Sequence, residues 1–455
     1  MKKRVIAVFD VGKTNKKLFL FDEQYHVVLE RSVHFAEIVD EDGDPTEDLE
    51  SLRSWVVGSL KELSQQSAFD IRAINFAAYG ASLVYVDDEG QPIAPLYNYL
   101  KGYPNQLQRQ FYETYGGEEA VASATASPVL GSLNSGMQLY RIKHEQPALF
   151  KRMRYALHLP QYLSFLVSRY MHSDITSIGC HTQLWDFGRN DYHDWVRAEG
   201  LGEKLAPLRA SDRVYPAPPL GNGGVVGVGL HDSSAALIPY LMSFKEPFVL
   251  LSTGTWSISF NPFNLTPLTR SELKADCLCY MQYQGTPVKA ARLFAGYEHE
   301  QQVKRIASHF GQSPDEYRKM AYRANTVSAL RQMGVDPVPA RGDVSVFPQR
   351  NLSDFANGEE AYHRLVMDLV AAQVASTGLV MKDTGVKQLF VDGGFSKNEV
   401  FMNLLADAFP RIKVFGASMA QATAVGAALA IHQAWNSRSV PSNLVDLRFY
   451  PGSQP

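Results

Sequence analysis

Cysteine is scarce: the 455 residues hold only three, Cys180, Cys277 and Cys279. An odd count with a lone C-x-C excludes a disulfide framework and lacks the C-x-x-C half of a common zinc site. The thiols read as buried or incidental ones in a reducing compartment. An excess of one charge is also missing. With 44 basic and 47 acidic residues the net charge is −3, without the basic footprint of a nucleic-acid-binding domain. The apolar run after Lys2, Lys3 and Arg4 stops at Asp10, too early for a secretory core. No stretch offers the roughly 18 uncharged apolar residues of a membrane span. A soluble, cytoplasmic monomer or homodimer without nucleic-acid or membrane partners is expected. The 45% apolar and 20% charged fractions are ordinary globular values, which excludes disorder. At about 150 residues per domain the length allows three units, and two larger ones fit nearly as well.

Two apolar runs, 5–9 and 18–21, flank the turn Asp10-Val11-Gly12-Lys13-Thr14-Asn15 and read as a β-hairpin. Leu49, Leu52, Trp55, Val56 and Leu60 recur at helical spacing, and a strand over 71–78 leads to Tyr79-Gly80. Residues 116–201 read as mainly helical and aromatic-rich, and 216–224 as a break. A strand over 225–229 then precedes a helix near Ser233 and Ser234, for which Asp232 is a good N-cap. The run 248–251 meets Ser252-Thr253-Gly254-Thr255 and continues over 256–260, repeating the plan of the first hairpin. Gly12 and Gly254 are separated by just over half the chain, so the protein reads as two similar halves, 1–243 and 244–455. An amphipathic helix over 365–380, strands over 388–391 and 412–415, and helices over 398–408 and 421–435 complete an α/β pattern.

Gly12-Lys13-Thr14 is no P-loop: Ala7 stands where that motif needs glycine, and a strand rather than a helix follows. A phosphate-binding hairpin turn fits better. Glycine lets backbone N–H groups approach phosphate oxygens, and Thr14, Asn15 and Thr255 add side-chain donors. Asp10 is either an Asx-turn residue or a carboxylate facing a Mg²⁺ ion. Lys16 and Lys17 read as solvated. His231-Asp232 offers an N-cap or a general base accepting the proton of a hydroxyl that attacks a γ-phosphate. Gly393-Gly394 is a tight turn or a flat seat for adenine or ribose.

Together these residues resemble the FGGY family of carbohydrate kinases over about residues 4–435. Val8 to Asn15 is similar to the family's first phosphate motif, Gly229-Leu230-His231-Asp232 to its G-x-H-D motif and Ser252 to Trp256 to its second phosphate motif. Val391 to Asn398 is similar to its adenosine motif, and Ala422 to Ala428 to its terminal helix. The resemblance implies an α/β fold of two ribonuclease-H-like (actin-like ATPase) domains, with ATP and a sugar in the interdomain cleft. It implies Asp232 as the base and Asp10 as the residue placing Mg²⁺. Gly12, Thr14, Asn15, Thr253, Gly254 and Thr255 would cradle phosphates, and Gly393, Gly394 and Asn398 would lie near adenosine. Gly80, Ala81 and Ser82, with His231, would face the sugar. The S-T-G-T-W run and the stretch 79–87 look closest to kinases of deoxyketoses such as L-rhamnulose or L-fuculose. Where many relatives carry W-x-D-x-R, this chain reads Tyr97-Asn98-Tyr99-Leu100-Lys101-Gly102, with no acid for sugar hydroxyls, and Gln421 replaces a common Glu. A sugar or nucleotide sensor, a kinase for another ketose or polyol, and an assembling or chaperone ATPase are the alternatives on this fold.

Overall fold

The computed structural model describes residues 2–221, 223–332, 343–419 and 421–452. Asn222, inside the expected break, lies outside them. The strand Lys3–Val11 returns antiparallel as Lys16–Asp22, with Val5 opposite Asp22 and Val11 opposite Lys16. Val5, Ala7 and Phe9 join one core and Ile6 and Val8 another. Because side chains alternate along a strand, apolar residues in both registers demand cover on both faces. Helices Leu49–Ser64 and Leu159–Ser168 supply it on one face. Asp232–Ser243 and Ala422–Ala430 supply it on the other. Phe69–Ala78 runs parallel to the first strand and Val225–Gly227 parallel to Phe69–Ala78, while Val27–Val33 extends the hairpin side.

The second half repeats this order. Phe248–Thr253 pairs antiparallel with Ser257–Asn261 and parallel with Gln388–Gly393, which runs parallel to Lys413–Ser418. Pro287–Leu293 takes the place of Val27–Val33. Both sheets therefore share the core order third, second, first, fourth, fifth strand. Both faces are again covered, with Val249, Leu251 and Val391 on one side and Phe248, Leu250 and Phe390 on the other.

The halves exchange packing. Ala422–Ala430 comes late in the chain yet packs with Ile6 and Val8 of the first sheet. Asp232–Ser243 lies between the sheets: Ala235 and Ile238 join the first core, Leu237 and Tyr240 the second. Tyr240 also donates a hydrogen bond to Asp392 Oδ2 of the second sheet at 2.9 Å.

Several elements differ from expectation. The region 116–201 is not only helical, since Tyr155–His158 and three shorter strands interrupt it. The last helix breaks into Ala422–Ala430 and His432–Trp435. The amphipathic helix is longer, Gly358–Met381, with a window of mean hydropathy 1.3 that meets the length and composition of a membrane span. More than half of that window is buried, and the helix belongs to the second core.

Candidate active site

Asp10 is the penultimate residue of the first strand and Asp232 begins the helix between the sheets. Burial pushes Asp10 up to about 7, with the Asp232 charge adding to it. Among the described residues no group donates a hydrogen bond to the Asp10 carboxylate. Burial raises Asp232 to about 6, against the opposing hydrogen bonds from Ser233. Asp232 is not the N-cap: His231 occupies that position, and Asp232 Oδ1 accepts the Ser233 N–H at 2.6 Å. His231 Nε2 lies 3.2 Å from Asp232 Oδ1. Burial lowers this imidazole to about 3, so the contact is one of a neutral ring with the carboxylate and not an ion pair. No lysine or arginine among the described residues pairs with Asp232. Gly80 is pressed against the same histidine, since a Cβ there would lie 2.9 Å from Nε2. Ala81 sits in left-handed backbone at φ 60°, and its carbonyl accepts from Gln138 Nε2 at 2.6 Å. Ala81 and Ser82 are both buried, so of these three residues only Gly80 reaches the site's surface.

The first turn closes with Gly12 N–H donating to the Asn15 carbonyl at 2.9 Å, which leaves Thr14 and Asn15 exposed. The second closes with Gly254 N–H on the Trp256 carbonyl at 2.8 Å and exposes Gly254 and Thr255. Gly254, Thr255, Gly394 and Asn398, drawn from distant segments, line one cavity of about 760 Å³ together with Gly296 and His299. Glycine is required around it: a Cβ on Gly296 would lie 1.8 Å from the Gly254 carbonyl oxygen. Gly393, at φ 91°, would meet the Thr253 oxygen at 1.9 Å. Thr253 itself faces away from the cavity. Its hydroxyl donates to the Asp392 carbonyl at 2.6 Å and accepts the Phe395 N–H at 3.0 Å, which joins the strand to the glycine pair. Asn398 caps the helix Glu399–Ala408 through Phe401 N–H and donates to Tyr362 Oη at 2.6 Å.

The reading of Lys16 as solvated fails. It is 2% exposed, pairs with Glu47 at 2.5 Å and donates to the Lys13 carbonyl. A buried ammonium demands such a partner. Lys17 keeps a surface ion pair with Glu30. The acid absent from 97–102 arrives through space instead. Glu47 accepts the Tyr79 hydroxyl, Glu41 the Tyr97 hydroxyl, and Lys101 is gripped by Asp40, Asp42 and Asp44 at 2.5, 2.7 and 3.2 Å. Tyr99 packs edge-on to Tyr79 at 6.1 Å. Its phenol is pushed up by burial and then by Asp232, Glu47 and Glu37, which sets it among these carboxylates. The cue available in the sequence was the acidic run Asp40-Glu41-Asp42-Gly43-Asp44, equally at home in a solvated loop.

A duplicated sheet carrying a glycine turn in each half, with a carboxylate-tipped helix between, is the architecture of an actin-like ATPase. Residues 5–216 match the N-terminal domain of the FGGY family of carbohydrate kinases, and residues 245–439 match the FGGY carbohydrate kinase C-terminal domain. The chain belongs to the FGGY family of carbohydrate kinases and is an ATP-dependent sugar kinase of that family. The fold is similar to that of a carbohydrate kinase from Novosphingobium aromaticivorans, at 22% identity and a TM-score of 0.80 over 99% of this chain and 95% of that one. A gluconate kinase from Lactobacillus acidophilus gives 16% and 0.80 over 99% and 94%. A Plasmodium falciparum glycerol kinase with ADP gives 15% and 0.77 over 95% and 90%.

Proposed function

We propose that the chain transfers the γ-phosphoryl group of ATP to a hydroxyl of a deoxyketose such as L-rhamnulose or L-fuculose, with Asp232 as general base. The observation that carries this reading is Asp232 itself: a carboxylate without a cationic partner, raised to about 6, at the junction of the halves. A base poised near the working pH takes the hydroxyl proton as the acceptor oxygen attacks phosphorus. His231 and Gly80 wall the acceptor side, and half-buried Tyr99, packed edge-on against buried Tyr79, adds an aromatic side chain among the carboxylates there. The exposed turns at Gly12, Thr14 and Asn15 and at Gly254 and Thr255 supply phosphate donors, and Gly393, Gly394 and Asn398 border the adenosine. In this reading the division of labour falls at 243/244, the first half for acceptor chemistry and the second for the nucleotide.

Asp10 fits a hard cation: it is a half-buried carboxylate to which no described residue donates a hydrogen bond, lifted by desolvation and then by a second carboxylate, the condition a cation relieves. Mg²⁺ held there would neutralise phosphate charge. The three free buried thiols suit a reducing cytoplasm. The test is an ADP-release screen over ketoses, aldoses and polyols with the Asp232→Asn variant as control. Release strongest with a deoxyketose is expected. Preference for a polyol or an unmodified ketose overturns the substrate, and turnover undiminished in the variant overturns Asp232 as base.

A further inference from the structure

Beside Asp232 and His231 lie two ligand groups, Cys180 and His181, to which the phosphoryl transfer assigns no role. Cys180 Sγ is 3.2 Å from His231 Nε2, and one ligand atom from each of Cys180, His181 and His231 lies within 4.8 Å of the others. All three side chains are buried. Adjacent residues seldom aim at one point. His181 does so by adopting a φ of 38°, a left-handed conformation that is unfavourable for a non-glycine residue. Its Nδ1 is satisfied by the Leu133 carbonyl at 3.1 Å, which orients the ring and leaves Nε2 as the ligand nitrogen. A carbonyl on the far nitrogen is the usual outer support of a metal-bound histidine. His231 Nδ1 has no partner, so that ring's contacts gather at Nε2, with Cys180 Sγ and Asp232 Oδ1 each 3.2 Å away. Arg292 acts on Cys180 and His181 through its charge, and Asp276 pairs with that guanidinium at 2.7 Å.

We propose that Cys180, His181 and His231, completed by Asp232, form a binding site for a thiophilic divalent cation such as Zn²⁺. One sulfur, two imidazoles and a carboxylate make a four-coordinate set that favours zinc or cobalt over the all-oxygen preference of Mg²⁺. The Asp232 side chain is 32% exposed and opens the route from the cleft. Binding forms an Sγ–metal bond and releases the Cys180 thiol proton to solvent, with no change of oxidation state. Occupation holds His231 and Asp232 on the ion, so the cation inhibits phosphoryl transfer; this consequence alone rests on Asp232 being the base.

Titrating the metal-free full-length chain with Co²⁺ tests the site without reference to activity. The expected result is a thiolate-to-cobalt charge-transfer absorption with tetrahedral visible bands, saturating at one ion per chain and erased by Zn²⁺. Cys180→Ser should abolish the charge-transfer band, and His181→Gln should weaken affinity by more than the roughly 10–100-fold typical of outer-shell changes. Absence of the band in the unaltered chain, or its persistence in Cys180→Ser, overturns the site. Binding without slowed turnover at fixed Mg²⁺ would keep the site and instead count against Asp232 as base.

Discussion

The two hairpins share one backbone plan but carry their acids on different strands. In the first half Asp10 stands two residues before the turn glycine, opposite Ala77 of the neighbouring parallel strand. In the second half Ser252 holds the matching place and the acid, Asp392, is on the neighbouring strand. The consequences diverge. Asp392 is satisfied by the Tyr240 hydroxyl and the Gly393 N–H, and so serves to stitch the halves. Asp10 is left without a donor beside Asp232. The scaffold is common to both halves; the position of one carboxylate separates the half proposed here to be reactive from the half that shapes a cavity.

The sharpest way to break this comparison is to neutralise an acid in each half. Asp232→Asn should lower kcat by about 10²–10⁴ while ATP binding persists, the span of a lost general base. Asp392→Asn should cost less than tenfold in kcat. Equal losses in steady-state assays would erase the distinction. Next in size is Glu47→Gln, which leaves Lys16 buried without a counter-charge and should cost about 3–5 kcal/mol in denaturant unfolding. Replacing both residues with apolar side chains should recover most of it, and failure to recover would show that Glu47 acts other than through Lys16.

The turns allow a gentler comparison. Gly393→Ala would place a Cβ 1.9 Å from a carbonyl oxygen at φ 91°, whereas Gly12→Ala meets its nearest atom at 3.1 Å without a positive φ. The first should raise the KM for ATP by tenfold or more and the second by only a few-fold. Similar KM values would mean that the Gly393 turn is no more rigid than the Gly12 turn.

These contrasts also mark what was legible in the chain. Apolar runs meeting Gly12 and Gly254 revealed both hairpins, because a strand buried on both faces writes itself as a continuous apolar segment. Asp10 and Asp232 stood out because they sit at the ends of elements, while the roles proposed for them come from the family resemblance. Glu47 did not, since its value comes from Lys16 and Tyr79, which only the folded chain brings to it. Lys16 misled because a lysine two residues past a turn is ordinarily solvated. The edge strand Asp446–Tyr450 escaped because four of its five residues are exposed, leaving no buried period to detect. The packing of Ala422–Ala430 on the other half's sheet left no local trace, as an alanine-rich helix fits either sheet equally well.

The smallest effect reads Asp10 through the pH dependence of its contribution to stability. Asp10 is held near 7 in the fold against an ordinary value of 3.8. A raised carboxyl binds its proton more tightly folded than unfolded, so its contribution to stability is complete below about pH 4 and is lost as pH climbs through about 7. Asparagine carries no charge to bury and no repulsion with Asp232. In metal-free buffer the melting temperatures of wild type and Asp10→Asn should therefore lie close at pH 4–5. They should separate in the variant's favour by pH 8, by about 1–2 kcal/mol after solvent screening. At roughly 1 °C per kcal/mol for a chain of this length this is within reach of differential scanning calorimetry. Millimolar Mg²⁺ should then narrow the gap at pH 8, because a cation that binds the folded wild type stabilises it and finds no carboxylate in the variant. A gap of one size at both pH values would show that Asp10 is not strained by its neighbour. A gap indifferent to Mg²⁺ would return this residue to the passive role its counterpart strand plays in the second half.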